Sequence, residues 1–334
     1  MNKQSAPLPP VELMELATGY QRSKTLFVIV EFRIPTLLAG KPHTIEQLAR
    51  VTNLHPRACD RLINAGVSLN LFTRTDERVS NTAMSEAYLV EGKPGYLGEQ
   101  FALYDSTSYP SWKELTKRLR EWRPGETDDA TPQDEDQGAD SMRAQHNLAT
   151  LVGARLAGAF EFDEFRRMLD LGGGSAAMSI SICAAHDNLK ATVFDLPEVV
   201  AVAREFITNA RLGERIETRD GNFKEDDLPD GFDIALLANL LSVSSAETNR
   251  KLFKRIYDQL PQGGAILLSG WILDDTRTSP LMPVLFCLED INWQVPDVER
   301  AAATYHDWLR DAGFVEIERR MFHEPWSVIV GRKV

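Results

Sequence analysis

Cysteine is scarce in this chain of 334 residues, with only Cys59, Cys183 and Cys287. They are odd in number and far apart, and none has metal-ligand spacing. Neither a disulfide framework nor a metal site is therefore expected, and they read as reduced thiols packed as small apolar side chains. Long apolar runs are missing as well. No stretch reaches the roughly 18 residues of a membrane span. The polar opening Met1-Asn2-Lys3-Gln4-Ser5, with three prolines by Pro10, lacks the apolar core of a secretory signal. A cytoplasmic location without a membrane partner is the expectation. Positive charge is also short: 37 Lys and Arg against 49 Asp and Glu leave a net charge of -12. Such a balance repels phosphate backbones and anionic lipid, which argues against a nucleic-acid role. What remains is a soluble globular composition, 43% hydrophobic and 26% charged, on a chain long enough for two domains.

The most informative stretch is Arg167-Met168-Leu169-Asp170-Leu171-Gly172-Gly173-Gly174-Ser175-Ala176. An apolar run ends in an acid and breaks into consecutive glycines, as the first strand of a nucleotide-binding α/β unit does. Glycine lets the backbone turn tightly and approach a ligand more closely than a Cβ would permit. The run from Ala177 to Cys183 then opens a helix whose N-terminus faces that ligand. A second strand, Ala191 to Asp195, also ends in an acid, 25 positions after Asp170. This spacing suits one βαβ unit whose second strand offers a carboxylate to ribose hydroxyls. Further strands are expected near Ile216-Glu217-Thr218, ahead of Gly221-Asn222-Phe223, then over Phe232 to Asn239 and Ala265 to Leu268. A helix over Tyr305 to Ala312 and a strand at Val328-Ile329-Val330 end the pattern in a hairpin.

Ahead of this unit, apolar residues recur at helical spacing from Val11 to Leu38, predicting two helices whose wide apolar surface needs a partner. Thr44 and Gln47 form a capping box, and a second helix runs from His55-Pro56-Arg57 to about Asn70. Leu71 to Ser80 reads as two short strands around an Asp-Glu turn. Helix, turn, helix and wing make a winged-helix pattern, which commonly reads DNA through its second helix. Here that helix carries Arg57 and Arg61 against Asp60, and Arg74 and Arg78 of the wing face Asp76 and Glu77. Dimerisation or duty as a substrate lid is expected, with a ligand-sensing DNA-binding regulator as an alternative. Between Arg123 and Asp140 the composition turns acidic, with Glu126, Asp128, Asp129, Asp134, Glu135, Asp136 and Asp140. A solvated connection is predicted there, without a metal, and a helix opening at Ser141.

A nicotinamide dehydrogenase shares the glycine opening, but its Gly-x-Gly-x-x-Gly is met by Gly172, Gly174 and Ala177 only with alanine in the last place. The later motifs point elsewhere. Asp-x-Gly-Gly-Gly, then Asp-Leu-Pro at Asp195, Gly-Asn-Phe at Gly221, and Leu-Pro-Gln-Gly-Gly at Leu260 together resemble S-adenosylmethionine-dependent methyltransferases. From about Glu12 to Val330 the chain resembles the family of plant caffeic acid O-methyltransferases and acetylserotonin methyltransferase. The resemblance implies a Rossmann-like α/β domain, with a mostly parallel sheet and an antiparallel C-terminal hairpin, preceded by a mainly helical winged-helix dimerisation domain. The implied layout is a dimerisation domain over 1–122, the acidic connection over 123–140 and a catalytic domain over 141–334. A homodimer acting on a small-molecule acceptor follows. The resemblance also implies that Asp170, Gly172, Gly173 and Gly174 touch the methionine part of the cofactor and Asp195 its ribose. Asn222 and Phe223 would meet the adenine, with Leu196, Gly221 and Asn239 beside these groups. Met142 matches a methionine that lies against cofactor and acceptor. Family members usually have aspartate where Asn222 stands and glycine where Ala176 stands.

One motif departs from the plant pattern. After the central strand, where a histidine removes the acceptor's hydroxyl proton, this chain has Leu240-Leu241-Ser242-Val243, and Ser242 falls on the histidine. A serine hydroxyl is a poor general base. The substitution resembles the bacteriochlorophyllide carbon methyltransferase branch, where the acceptor is an electron-rich carbon. Loss of the base also suits a relative that keeps the cofactor and has become a decarboxylase, hydroxylase or cyclase. Other candidate proton acceptors are His146, Glu289 and Asp290, then His306 and His323. Trp271, Phe286 and Trp293 are candidate apolar walls for a planar acceptor.

Overall fold

The structure is a computed structural model describing residues 10–122, 135–293 and 300–334, with the backbone alone at 135–139 and 293. The chain forms two compact units that divide between Thr107 and Ser108. This is earlier than the boundary at 122 expected from composition. The helices Ser108–Ser111 and Leu115–Glu121 belong to the second unit, where the latter packs on the helix Leu281–Trp293. No shift in composition announces that long-range contact.

In the first unit three helices, Val11–Ala17 (α1), Gly19–Glu31 (α2) and Ile34–Leu38 (α3), replace the two expected. The last break falls at Arg33, which is left-handed at φ 53 and lies just ahead of Pro35, a residue without the N–H that an uninterrupted helix would need. Strand His43–Thr44 (β1) leads into Ile45–Thr52 (α4). The capping box is present: Thr44 Oγ1 accepts from the Gln47 amide at 3.3 Å, and Gln47 Oε1 accepts from the Thr44 amide at 2.9 Å. Helix Pro56–Ser68 (α5) is followed by strands Phe72–Thr75 (β2) and Arg78–Asn81 (β3), which turn around Asp76. The strand order is β1-β3-β2. Ile29, Leu48, Ile63, Phe72 and Val79 share one core, so helix, turn, helix and wing stand as the sequence predicts. Helices Ala83–Tyr88 (α6) and Gly98–Ser106 (α7) close the unit. Two features bear on its duty. Val11, Leu13, Met14 and Leu16 of α1 are exposed, while the wing's Arg74 is paired with Asp60 at 2.9 Å.

The second unit opens with the two short helices just named (α8 and α9). Glu126, Asp128, Asp129 and Asp134 of the expected connection lie outside the described residues. The next helix, Glu135–Ala157 (α10), starts before Ser141, within the stretch predicted to be open. Strands and helices then alternate: Arg167–Leu171 (β4), Ala177–Ala185 (α11), Lys190–Asp195 (β5), Pro197–Asn209 (α12), Ile216–Asp220 (β6) and Ile234–Ala238 (β7). Next come Ala246–Gln259 (α13), Ala265–Gly270 (β8), Leu281–Trp293 (α14), Ala302–Ala312 (α15), Val315–His323 (β9) and Trp326–Arg332 (β10).

The sheet order is β6-β5-β4-β7-β8-β10-β9. It is parallel from β6 to β8, and β10 runs antiparallel to both β8 and β9. Helices cover both faces, which is why β7 and β8 read as unbroken apolar runs and not as alternating ones. Met168 of β4 joins Leu156, Ile182 and Ala203 of α10, α11 and α12 on one face. Leu169 and Leu171 join Leu252, Phe253 and Leu309 of α13 and α15 on the other. The β4 strand lies between β5 and β7, so the direction of strand addition reverses there. In open α/β sheets a ligand binds at the carboxyl ends of the strands beside such a reversal.

Candidate active site

The glycine turn leaves β4 at that point. Gly172 and Gly174 have φ +65 and +57, a region glycine enters without cost. Space is as restrictive as conformation. A Cβ on Gly172 would stand 2.4 Å from Leu240 Cδ1, and one on Gly173 would stand 2.9 Å from both Asp170 Cγ and Val193 Cγ1. Gly221, after β6, is closed in the same way by the Phe194 ring at 2.5 Å. The backbone therefore forms a cradle that side chains would fill, as the sequence predicts.

Two carboxylates line the cradle. Asp170 is fully buried; its Oδ2 accepts from Ser179 Oγ at 2.6 Å, while Oδ1 has no partner among the described residues. Burial pushes its carboxyl up to about 6, the Ser179 hydroxyl works against the rise, and the charge of Asp195 adds to it. Asp195 ends β5 and ties two loops together: Oδ2 accepts from the Gly174 amide and Oδ1 from the Leu196 amide, each at 2.8 Å. Burial raises its carboxyl too, against the pull of those two amides. Each carboxylate oxygen keeps a further lone pair, enough to accept from two vicinal hydroxyls. A buried oxygen without a partner, a bare backbone turn and a carboxylate with spare acceptors fit a cationic cofactor bearing a ribose.

The remaining predicted cofactor residues lie around this cradle. Met142 Sδ is 3.2 Å from where a Cβ of Gly174 would be. Asn222 is half-buried, with its Oδ1 accepting from the Lys224 amide at 3.0 Å and its own amide donating to Asp226 at 2.7 Å. Its side-chain amide donors remain on the turn, next to the half-buried Phe223. Asn239 ends β7 in a left-handed conformation at φ 54 and is exposed.

The candidate catalytic residues each have partners of their own. Ser242 is half-buried and its hydroxyl donates to the Asn239 carbonyl at 3.5 Å. His146 lies on α10, stacked on Phe206 with ring centroids 3.5 Å apart and its Nδ1 2.9 Å from Ser175 Oγ. Burial lowers its imidazole to about 4, so it is neutral at physiological pH. Glu289 is half-buried on α14. Its neighbour Asp290 is held by Arg300 at 2.6 Å, and burial raises the Asp290 carboxyl against the pull of that guanidinium. His306 has its imidazole lowered by burial, and His323 stacks on Trp326. Trp271 meets Phe286 edge to face at 4.7 Å, and its Nε1 is buried without a partner. The Trp293 side chain lies outside the described residues. Among the described residues no group of acids, histidines and cysteines could hold a metal ion.

The sequence did not single out Ser175, Ser179, Phe206 or Arg300. The two serines were visible as a pair four apart at the start of a helix. Phe206 and Arg300 reach their partners only through the fold.

Comparison with known proteins carries this geometry to a family. The chain matches the O-methyltransferase domain over residues 125–315 and the O-methyltransferase dimerisation domain over residues 14–91. It is 32% identical to the 3-hydroxy-5-methyl-1-naphthoate 3-O-methyltransferase of Streptomyces sahachiroi, over 97% of this chain and 95% of that one. It is 30% identical to the tetracenomycin polyketide synthesis 8-O-methyl transferase TcmO of Streptomyces glaucescens, over 97% of both. The human N-acetylserotonin methyltransferase, solved in complex with S-adenosylmethionine, superposes with a TM-score of 0.86 at 28% identity, over 100% of this chain and 99% of that one. These matches run along the whole chain, and the protein belongs to the O-methyltransferase family as an S-adenosylmethionine-dependent methyltransferase.

Proposed function

We propose that the protein methylates a hydroxyl of a small aromatic, natural-product-type acceptor that is acidic enough to ionise without a strong base from the enzyme. The observation that carries this reading is Ser242. Its hydroxyl donates to the Asn239 carbonyl at the position where plant relatives place their histidine, so an anionic oxygen must come from the acceptor. The two Streptomyces relatives, named for O-methyl transfer to a naphthoate and in tetracenomycin synthesis, support an aromatic acceptor. An electron-rich ring carbon makes the same small demand on the enzyme and is the second reading.

In this reading Asp170, Gly172, Gly173, Gly174 and Met142 hold the methionine part of the cofactor. Asp195 and Leu196 hold its ribose, and Gly221, Asn222 and Phe223 its adenine. When bound, S-adenosylmethionine supplies a methyl already activated on a cationic sulfur. The chain's own task is placement of the acceptor, which can account for much of the acceleration. The first unit pairs two copies, with the exposed apolar residues of α1 as part of the surface they cover. Cys59, Cys183 and Cys287 form no disulfide among the described residues, in keeping with a cytoplasmic setting.

The test is methyl transfer from labelled cofactor to a series of naphthols and hydroxynaphthoates of graded acidity. Without an enzyme base, the midpoint of kcat/KM against pH follows the ionisation of each acceptor. A midpoint that stays near an ordinary histidine value of about 6.5 for every acceptor would overturn the proposal. Nuclear magnetic resonance of the product separates an oxygen-bound from a carbon-bound methyl.

A further inference from the structure

The glycine turn contains a residue that ought not to be comfortable there. Gly172, Gly174 and Ala176 all have left-handed backbones, at φ 65, 57 and 62. Two are glycines, but Ala176 carries a Cβ and is fully buried. Left-handed backbone is disfavoured for alanine by contact between Cβ and the carbonyl oxygen, and such a conformation persists only where the surroundings over-determine it. Inside the turn, the Ala176 amide donates to the Gly173 carbonyl at 2.9 Å and the Gly174 amide to Asp195 at 2.8 Å.

The rest of the support comes from one face of α10. Met142 lies against Gly174, with Sδ 3.2 Å from the place of its missing Cβ. One turn on, His146 Nδ1 is 2.9 Å from Ser175 Oγ. Another turn on, the Thr150 carbonyl accepts from Ser181 Oγ at 3.1 Å. Gly153 then lets the two helices close up, since a Cβ there would stand 2.9 Å from Ser181 Cβ. Spacings of four, four and three keep these residues on one side of a helix. His146 alone among them is placed from two directions, stacked on Phe206 at 3.5 Å and 11° while it bonds Ser175. Burial keeps its ring neutral, so one nitrogen donates and the other accepts.

We propose that His146 is a positioning residue for cofactor binding: wedged between Phe206 and Ser175, it holds the glycine turn in the left-handed form that Ala176 by itself would leave. This rests on the reading of that turn as the cofactor seat. His146 acts through Ser175 and has no part in proton transfer.

Calorimetric titration of the full chain with S-adenosylhomocysteine tests it. His146→Phe keeps the flat ring on Phe206 and removes the hydrogen bond, which raises Kd about fivefold. His146→Asn, whose amide can stand in for Nδ1, stays within about twofold of the parent. Ala176→Gly added to His146→Phe returns Kd to within about twofold, because glycine adopts the turn unaided. A merely structural histidine predicts no such rescue. An unchanged Kd in His146→Phe, or a loss that Ala176→Gly leaves in place, overturns the proposal. Should His146→Phe fail to fold, Ser175→Ala removes the same bond from the other side and must show the same loss. A parent protein that does not bind S-adenosylhomocysteine would instead remove the seat on which the proposal rests.

Discussion

Replacing Asp170 with asparagine should make the protein more stable at neutral pH while damaging its cofactor site. Asp170 is fully buried, and burial raises its carboxyl from 3.8 to about 6. The unfolded chain loses this proton near 4, whereas the folded chain keeps it to about 6. Stability from this group is therefore complete below pH 4, falls as pH rises between the two values, and is lost above 6. At about 1.36 kcal/mol per pKa unit, ionised Asp170 costs the fold roughly 3 kcal/mol at pH 8. Asparagine cannot ionise, still offers an oxygen to Ser179 Oγ, and loses no bond at Oδ1, which has none. Asp170→Asn should accordingly exceed the parent by only about 1 kcal/mol at pH 4.5 and by roughly 3 kcal/mol at pH 8. For a unit of this size that is a rise in Tm of roughly 6–12 °C. Thermal unfolding followed by circular dichroism at the two pH values reads the difference. Titration of the same samples with S-adenosylhomocysteine should show affinity falling by about tenfold or more, since in the proposed reading this carboxylate faces the ammonium of the ligand's amino-acid part and has been neutralised. A variant less stable than the parent at pH 8, or a gap that does not change with pH, would refute the reasoning.

Three further outcomes are expected. Gly173→Ala drives a Cβ to 2.9 Å from Asp170 Cγ and Val193 Cγ1, so unfolding in urea should show a loss of about 1–3 kcal/mol. Gly158→Ala, whose Cβ would meet only the Arg155 carbonyl at 3.8 Å, should lose nothing and serves as the control. Asp195→Ala removes the acceptor of the Gly174 and Leu196 amides and, with it, the two ribose hydrogen bonds proposed for this carboxylate; at about 1.5–3 kcal/mol for each bond to a charged group, calorimetry should find S-adenosylhomocysteine binding weaker by about 100-fold or more. Arg300→Met strands Asp290, whose side chain is only 19% exposed, and should cost about 3–5 kcal/mol in thermal unfolding, most of it recovered when Asp290→Asn is added.

Much of the fold could be read from local pattern. The capping box at Thr44, the wing around Asp76 and the glycine break after Asp170 rely on chemistry confined to a few neighbouring residues, so they appear in the sequence as they do in space. Where the reading slipped, a distant contact or a helix end was responsible. The helices 108–111 and 115–121 belong with the second unit because of packing on a helix far along the chain. The backbone is helical from Glu135, inside the stretch read as an open connection.

By itself the sequence marked the turn after β4 as the candidate cofactor seat, because glycines and carboxylates at set spacings suit a tight turn between two acid-ended strands. The resemblance read from it also puts Ser242 at the place of a base. Only the tertiary structure shows what His146 touches. In the sequence it is one of six histidines, free to be an acid, a base or a surface group. Its burial against Phe206 and its bond to Ser175 depend on α10, α12 and the glycine turn coming together, and no local pattern encodes that meeting.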